Sequence, residues 1–206
     1  MNVEKAIRAF LAIEPPPEVK KEIRNIQSSL KKSCPFDVRW VNPDGIHLTL
    51  KFFGNVSQED IATISAVVNE NTACVSPLHL KVNKLGMFPS QKRPRILWIG
   101  LEGETPPLFV IRENLERRFV ELGFARDDKP FRLHLTIGRV KSPRVSGDPE
   151  PFIAKGNEYA ARSFIAQGIS LFKSDLTPQG AVYTRLACFP FSMTACSRGQ
   201  SDARES

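Results

Sequence analysis

Apolar positions along the chain follow two different periods. Short apolar runs such as KAIRAFLAI and IHLTLKFFG have the length and composition of β-strands. Directly after Pro15-Pro16-Pro17 the apolar positions change to helical spacing, at Val19, Ile23, Ile26 and Leu30. Ser57 and Asp60 resemble a capping box before a second helix. A third helix is predicted from Thr105-Pro106-Pro107 to a stop at Gly123.

Three further combinations of strands are predicted around turn-forming segments. VRWV and IHLTLKFFG lie on either side of Asn42-Pro43-Asp44-Gly45 and are predicted to pair. LHLKVNKLGMF and RILWIGL flank the basic segment PSQKRPR. After a Pro/Gly/Ser-rich loop from Ser142 to Pro151, SFIAQGISLFKS and AVYTRLACFPF are predicted to form a hairpin.

Strands and amphipathic helices therefore occur in both halves of the chain, which predicts an α+β fold. We expect one domain over residues 1–191, made of two similar lobes related by a pseudo-two-fold axis. Its sheets should be largely antiparallel and flanked by helices, with a groove between the lobes. Residues 192–206 lack apolar periodicity and are predicted to form a mobile tail.

Composition narrows the function without deciding it. No segment approaches the roughly 20 apolar residues of a membrane span, and the N-terminal run is interpreted as the first strand of a cytoplasmic protein. The four cysteines are scattered without a CxxC pair, which favours neither a zinc site nor a disulfide framework. A net charge of +7 is compatible with a polyanionic partner such as RNA, although many soluble proteins are equally basic.

Two of the three histidines lie in nearly identical segments, HLTL at His47 and HLTI at His134. On a strand, alternate side chains share a face, so each histidine and the threonine two residues later should point away from the core. Thr49 and Thr136 are these threonines. His79 has no such threonine and is interpreted as a surface residue. A duplicated strand without chemistry is the alternative explanation.

Two imidazoles and two hydroxyls suit metal-free attack on a phosphodiester. One neutral imidazole accepts a proton from the nucleophile, and one imidazolium donates a proton to the leaving oxygen. The hydroxyls can hold the charged phosphate oxygens. Metal binding is less apt, because each segment has one imidazole and no nearby cysteine or acidic run to complete a coordination shell.

RWVNPDGIHLTLKFFG followed by HLTIGR resembles the two-histidine phosphoesterases, and in particular the RNA 2′,3′-cyclic phosphodiesterases, also described as RNA 2′-5′ ligase-like proteins. The likeness spans the chain from RAFLAI to ISLFKSDLTPQGAVYTRL; Phe53 stands where such proteins often carry leucine. It implies that His47 is the proton donor and His134 the proton acceptor. It further implies that Thr49 and Thr136 bind the phosphate.

The same resemblance implies a monomer without cofactors that opens RNA 2′,3′-cyclic phosphate ends, for example of tRNA fragments, to 2′-phosphates. The reaction could also run backwards as 2′-5′ ligation without ATP, and no GxxxxGK[ST] phosphate loop occurs in the chain. Two other functions stay open from the sequence: an RNA-binding module that only docks phosphate, and a phosphodiesterase for 2′-5′ oligonucleotides or small cyclic phosphates.

Four further residues are candidates for substrate binding. Lys51 continues the face of His47 and could neutralise a phosphate, or it is a solvated lysine at a strand end. Arg139 has the opposite parity to His134, but a bulge at Gly138 could direct it at the substrate; a structural ion pair is the alternative. Phe88 and Trp98 could stack on a base or belong to the core.

Overall fold

The structure is a computed structural model that describes residues 6–142, 149–159, 162–178 and 180–192. These residues form four α-helices: α1 (Pro17–Lys31), α2 (Gln58–Thr72), α3 (Thr105–Glu121) and α4 (Glu150–Asn157). They also form nine strands: β1 (Ile7–Ile13), β2 (Val38–Trp40), β3 (Leu48–Val56), β4 (Leu78–Phe88), β5 (Ile96–Gly103), β6 (His134–Val140), β7 (Ser163–Ala166), β8 (Gly168–Thr177) and β9 (Gly180–Pro190).

The strands form two sheets, and each sheet combines strands from both halves of the chain. One sheet has four strands in the order β3-β1-β8-β9, and the other has five in the order β2-β6-β5-β4-β7. Neighbouring strands are antiparallel throughout. The predicted α+β fold with antiparallel sheets is confirmed. The strands of the two HLT segments, β3 and β6, lie in different sheets and contact each other.

The ends of the helices follow the predicted signals. The four apolar residues of the α1 stripe are all buried. The capping box of α2 is present: the Ser57 hydroxyl accepts a hydrogen bond from the Asp60 N–H at 3.0 Å, and the Asp60 carboxylate accepts one from the Ser57 N–H at 2.8 Å. After α3, Gly123 has a φ of +88°, a conformation that favours glycine and ends the helix. No helix in the described ranges is both long enough and apolar enough to cross a bilayer.

The predicted pairing of VRWV with IHLTLKFFG is wrong. Strand β2 pairs with β6, whereas β3 pairs with β1 in the other sheet. A short 3₁₀ helix at Pro43–Gly45 separates the two strands, and the N–H of Val41 continues the pairing with β6 by donating to the carbonyl of Ile137. The turn-forming residues therefore carry the chain from one sheet to the other.

Two other boundaries differ from the predictions. SFIAQGISLFKS is not one strand, because Gln167 separates β7 in the five-stranded sheet from β8 in the four-stranded sheet. The expected loop from Ser142 to Pro151 contains the beginning of α4, which buries Phe152 and Ile153. The hairpin of β8 and β9 is confirmed. The predicted tail lies outside the described residues, apart from Ser192.

Candidate active site

His47 and Thr49 lie at the start of β3, on the face opposite the main core. Leu48 and Leu50 point into that core and are 1% and 2% exposed. His47 comes directly before the strand, and its ring stacks on Phe10 of β1 with 4.7 Å between the ring centroids. The predicted alternation therefore holds for these four residues of the HLTL segment.

His134 and Thr136 repeat this arrangement at the start of β6. Leu135 and Ile137 between and after them are fully buried in the core, whereas the histidine and the threonine are half-buried. His79 is exposed, in agreement with its interpretation as a surface histidine.

The same backbone hydrogen bond holds both imidazoles. Nδ1 of His47 lies 2.8 Å from the carbonyl oxygen of Gly45, and Nδ1 of His134 lies 2.7 Å from that of Arg132. A carbonyl oxygen only accepts hydrogen bonds, so each Nδ1 must carry a proton. In each ring Nε2 is therefore the nitrogen that can exchange a proton with a ligand.

A β-bulge in β3 changes the direction of the residues beyond Thr49. Thr49 pairs with Ala12 of β1 and Lys51 pairs with Leu11, so Leu50 is an additional residue on β3. One additional residue reverses the alternation of faces. The prediction that Lys51 shares the face of His47 and Thr49 is therefore wrong.

Lys51 belongs to a buried cluster of charges on the helix side of β3. Its side chain is 4% exposed, and its ammonium group lies 2.9 Å from the Glu116 carboxylate of α3 and 3.9 Å from that of Asp127. It also donates a hydrogen bond to the carbonyl of Ala125 at 2.8 Å. Arg112 contacts both carboxylates, at 3.8 Å and 3.0 Å. Lys51 thus fixes β3 to α3 and is not available to a phosphate in the groove.

A matching bulge occurs in β6, one residue after Thr136. Thr136 pairs with Trp98 of β5 and Gly138 with Leu97, so the additional residue is Ile137. The bulge is one residue earlier than the predicted position at Gly138. The glycine is needed for another reason: a Cβ at this position would lie 2.6 Å from a side-chain carbon of Val38.

The bulge in β6 brings Arg139 to the face of His134 and Thr136. Arg139 is exposed, and its charge acts on both catalytic candidates, His47 and His134. Within the described ranges its side chain forms no ion pair or hydrogen bond, so the alternative of a structural ion pair has no support there. Of the two cationic candidates, the structure places Arg139 at the site and Lys51 away from it.

A buried glutamine fixes the bulge in β6. The side-chain amide of Gln27, on α1, donates one hydrogen bond to the carbonyl of Ile137 and one to the carbonyl of Val41, both at 2.8 Å. Gln27 is only 2% exposed. The Ile137 carbonyl therefore accepts two hydrogen bonds, one from the N–H of Val41 and one from this helix side chain.

Aromatic rings support both imidazoles. The edge of Tyr183 meets His47 at 5.1 Å, and Phe10 lies beneath the ring. Phe88 meets His134 edge-on at 5.0 Å, with Trp98 at 6.3 Å. Phe88 and Trp98 are half-buried, so they form the wall behind His134 rather than part of the main core.

Comparison with known proteins assigns the chain to a family. The model of the LigT-like phosphoesterases matches twice, over residues 13–98 and 99–183, and each match contains one HLT segment. The chain belongs to the LigT-like phosphoesterases. This membership confirms the predicted resemblance and makes the protein an enzyme of the phosphoesterase class.

Individual relatives agree with this family. An RNA 2′,3′-cyclic phosphodiesterase of Methanothermobacter thermautotrophicus is 33% identical, over 89% of this chain and 98% of the relative. One of Methanocaldococcus jannaschii is 32% identical, over 86% and 96%. Among solved structures, a Thermus thermophilus protein matches with a TM-score of 0.71 and 27% identity, over 90% of this chain and 98% of that one. Escherichia coli LigT complexed with 3′-AMP shares the fold, with a TM-score of 0.70 at 22% identity, over 91% and 99%.

In this LigT-like phosphoesterase, burial makes both imidazoles poor bases in the absence of a ligand. Burial lowers the pKa of His47 from 6.5 to about 4. The hydrogen bond to the Gly45 carbonyl and the charge of Glu14 oppose this change, whereas the charges of Lys20 and Arg139 add to it. An anion bound beside the ring would favour the protonated form and raise the pKa again.

The pKa of His134 is also lowered from 6.5, and burial is again the main cause. The hydrogen bond to the Arg132 carbonyl raises this pKa, and the charge of Arg139 lowers it. Both rings are therefore neutral near pH 7 when no anion is bound. Glu14 and Lys20 act on His47 alone: the charge of Glu14 raises its pKa and the charge of Lys20 lowers it, and no acidic group among the described residues acts on His134.

A cleft of about 290 Å³ opens beside His47, between the end of β1, the 3₁₀ turn and β9. Glu14 lies at its wall, where its carboxylate contacts Lys20 and Arg185. Tyr183 and Phe172 form the aromatic side of the cleft. The cleft gives a ligand access to the more buried of the two histidines.

Among the described residues, no group of three or more His, Cys, Asp or Glu side chains is placed to hold a metal ion. The polar side chains that the structure places at the site are two imidazoles, two hydroxyls, the guanidinium of Arg139 and the carboxylate of Glu14.

The sequence did not reveal Glu14, Phe10 or Tyr183 as parts of the site. Each comes from a strand, or from the end of a strand, that reaches the histidines through long-range pairing. Their own sequence segments show only ordinary strand composition. No local signal could have identified them.

Proposed function

We propose that this enzyme hydrolyses the 2′,3′-cyclic phosphate at the end of an RNA strand to a 2′-phosphate. The observation that carries the proposal is the matched pair of imidazoles. Both have Nδ1 bound to a carbonyl, both have Nε2 free for proton transfer, and the charge of Arg139 acts on both. The two archaeal relatives described above are RNA 2′,3′-cyclic phosphodiesterases, which supports this substrate.

In the proposed reaction, Nε2 of His134 accepts a proton from a water molecule. The water oxygen forms a bond to phosphorus while the bond from phosphorus to the ribose 3′ oxygen breaks. The Nε2 proton of His47 goes to that oxygen, which leaves a 3′-hydroxyl and a 2′-phosphate. Exchange of protons with solvent restores both histidines.

The assignment of His47 as the donor has support in its surroundings. The donor must be protonated when the substrate is bound, although its pKa is about 4 without a ligand. The negative phosphate and the charge of Glu14 both favour the imidazolium. The acceptor must be neutral, a condition that the lowered pKa of His134 meets. Burial lowers the pKa of His47 as well, so the division of roles rests on the family resemblance and not on the pKa values.

Thr49, Thr136 and Arg139 bind the non-bridging phosphate oxygens in this proposal. Neither threonine hydroxyl is used in a hydrogen bond within the described part of the chain, so both can donate to a ligand. The positive charge of Arg139 compensates the negative charge that grows on phosphorus oxygens in the transition state. No metal ion or cofactor is required. One chain supplies both histidines, so a monomer is sufficient.

The same groups can carry the reverse reaction. A 5′-hydroxyl of a second RNA strand would take the place of water and attack the cyclic phosphate, forming a 2′-5′ bond without ATP. Hydrolysis should dominate, because water is present at far higher concentration than an RNA end.

The test is product analysis after incubation with an oligonucleotide that ends in a 2′,3′-cyclic phosphate, in the presence of excess chelator. We expect a 2′-phosphate and no 3′-phosphate. Binding without turnover would show that the protein is an RNA-binding module. Cleavage restricted to internal 2′-5′ bonds would show that it is a phosphodiesterase for 2′-5′ oligonucleotides. Loss of activity in chelator, restored by one divalent ion, would overturn the metal-free mechanism. His79→Ala, outside the site, is the matched control for the variants His47→Ala and His134→Ala.

A further inference from the structure

Two arginines face each other in the five-stranded sheet, beside the histidines. Arg39 of β2 is directly opposite Arg139 of β6 in the antiparallel pair. Directly opposed residues share one face of a sheet. Their neighbours Val38 and Val140 pack on the core side, so both guanidinium groups lie on the groove side.

This arrangement is unfavourable by itself. Like charges directly opposite each other on adjacent strands destabilise a sheet. Both arginines are exposed, and neither side chain forms an ion pair or hydrogen bond with any residue of the described ranges. The acidic residue nearest in sequence, Asp37, is paired with Lys141 at 3.1 Å. The missing negative charge can be supplied by a ligand.

The arginine pair lies at a short distance from the proposed phosphate site. Between Thr136 and Arg139 the partner strand advances only from Trp98 to Ile96, which corresponds to about 7 Å along a strand. Arg39 lies one strand further out, roughly 5 Å beyond Arg139. The pair therefore continues the groove outward from the threonine hydroxyls.

We propose that Arg39, together with Arg139, binds the phosphodiester that precedes the cyclic phosphate in an RNA strand. This inference rests on the proposed function. Arg139 is close enough to serve both phosphates, whereas Arg39 serves only the preceding one. A guanidinium can donate two parallel hydrogen bonds to one phosphate, which suits this position better than a lysine would. Arg39 thus makes the enzyme prefer a polynucleotide end to a mononucleotide.

The test compares two substrates with the wild-type enzyme and with Arg39→Gln. One is a mononucleotide 2′,3′-cyclic phosphate, and the other is a dinucleotide with the same end and one internal phosphodiester. Loss of a charge-assisted hydrogen bond should reduce kcat/KM for the dinucleotide on the order of 10-fold or more. The reduction for the mononucleotide should be much smaller. Arg118→Gln, which removes an equal charge from α3, is the control.

A third substrate isolates the contact. In a dinucleotide whose internal phosphate is an uncharged methylphosphonate, the wild-type enzyme should lose about as much kcat/KM as Arg39→Gln loses on the ordinary dinucleotide. On this substrate Arg39→Gln should lower kcat/KM little further, because the phosphate charge that Arg39 binds is already absent. Equal losses of Arg39→Gln on all three substrates would overturn the inference and leave the proposed function intact. Absence of turnover of any cyclic phosphate by the wild-type enzyme would overturn the proposed function itself.

Discussion

His47 and His134 make the same backbone hydrogen bond, but their rings lie in different surroundings. Glu14 and Lys20 act on His47 alone, whereas burial lowers the pKa of both imidazoles. A buried imidazole that is neutral without a ligand becomes a donor only when an anion accompanies it. In the proposed mechanism, proton transfer and phosphate binding are thus coupled at His47.

The roles of the two histidines can be separated by the leaving group. On a natural cyclic phosphate, His47→Ala and His134→Ala should each lower turnover by several powers of ten, because the ribose oxygen needs a proton. An aryl leaving group departs without one. On an aryl phosphodiester, His47→Ala should therefore recover much of its rate and His134→Ala should not. Recovery by His134→Ala alone would exchange the two roles.

The lowered histidine pKa values place the activity profile of the free enzyme at acidic pH. The pH profile of kcat/KM reports the pKa values of the two histidines in the free enzyme. Both pKa values lie below 6.5, so the maximum of kcat/KM should lie below pH 6.5. A bound phosphate anion raises both pKa values, so the profile of kcat should lie at higher pH than that of kcat/KM. Initial rates over a pH series give both profiles. Coincident profiles would contradict coupling between the anion and the protons.

The threonines should act on the rate and not on the fold. Thr49→Ala or Thr136→Ala should lower kcat on the order of 10²-fold each, the scale for removing one donor to a charged oxygen. Thr63→Ala, on the exposed side of α2, is the control. Turnover and the thermal unfolding midpoint should be measured together. Near-normal turnover in both active-site variants would show that the hydroxyls have only a structural role.

Among the elements, the two bulged strands determine which residues lie on the groove side. Each bulge follows a threonine by one residue and reverses the faces beyond it. In β3 the reversal sends Lys51 into the core, and in β6 it sends Arg139 into the groove. The same kind of bulge thus makes Lys51 of β3 a structural cation and makes Arg139 of β6 a candidate phosphate ligand.

The burial of Lys51 predicts a stability effect. Lys51→Met leaves the Glu116 carboxylate in the core without its closest cation, which should lower the free energy of unfolding by about 3–5 kcal/mol. Lys81→Met removes an ion pair of a strand lysine whose side chain is 46% exposed. It should change the free energy of unfolding by less than about 1 kcal/mol. Urea unfolding measures both. A raised KM at unchanged stability in Lys51→Met would restore Lys51 as a phosphate ligand.

The sequence predicted what depends on local pattern. The HLT alternation, the capping box of α2 and the α1 stripe follow from spacing alone, and all three are present in the structure. The bulges could not be predicted, because Leu50 and Ile137 suit a regular strand as well as a bulge. The pairing of β2 with β6 depends on contacts almost 100 residues apart in the chain, for which no local signal exists.

For the whole molecule, the excess of basic residues should make the KM for RNA depend on the salt concentration. The net charge is +7, and the groove side of the five-stranded sheet carries exposed arginines. Binding of a longer RNA strand releases counterions from several phosphates, whereas a mononucleotide releases few. The KM for an oligonucleotide should therefore rise steeply between low and moderate salt, and the KM for a mononucleotide cyclic phosphate should rise only slightly. Equal slopes would show that the net charge has no part in recognition.

The two matched repeats, residues 13–98 and 99–183, are not separable modules. Each sheet is completed by strands from both of them, and β5 crosses the boundary between them. Deletion of either repeat would remove strands from both sheets and leave unpaired edges in each. It would also remove one of the two histidines, so neither repeat alone contains the pair.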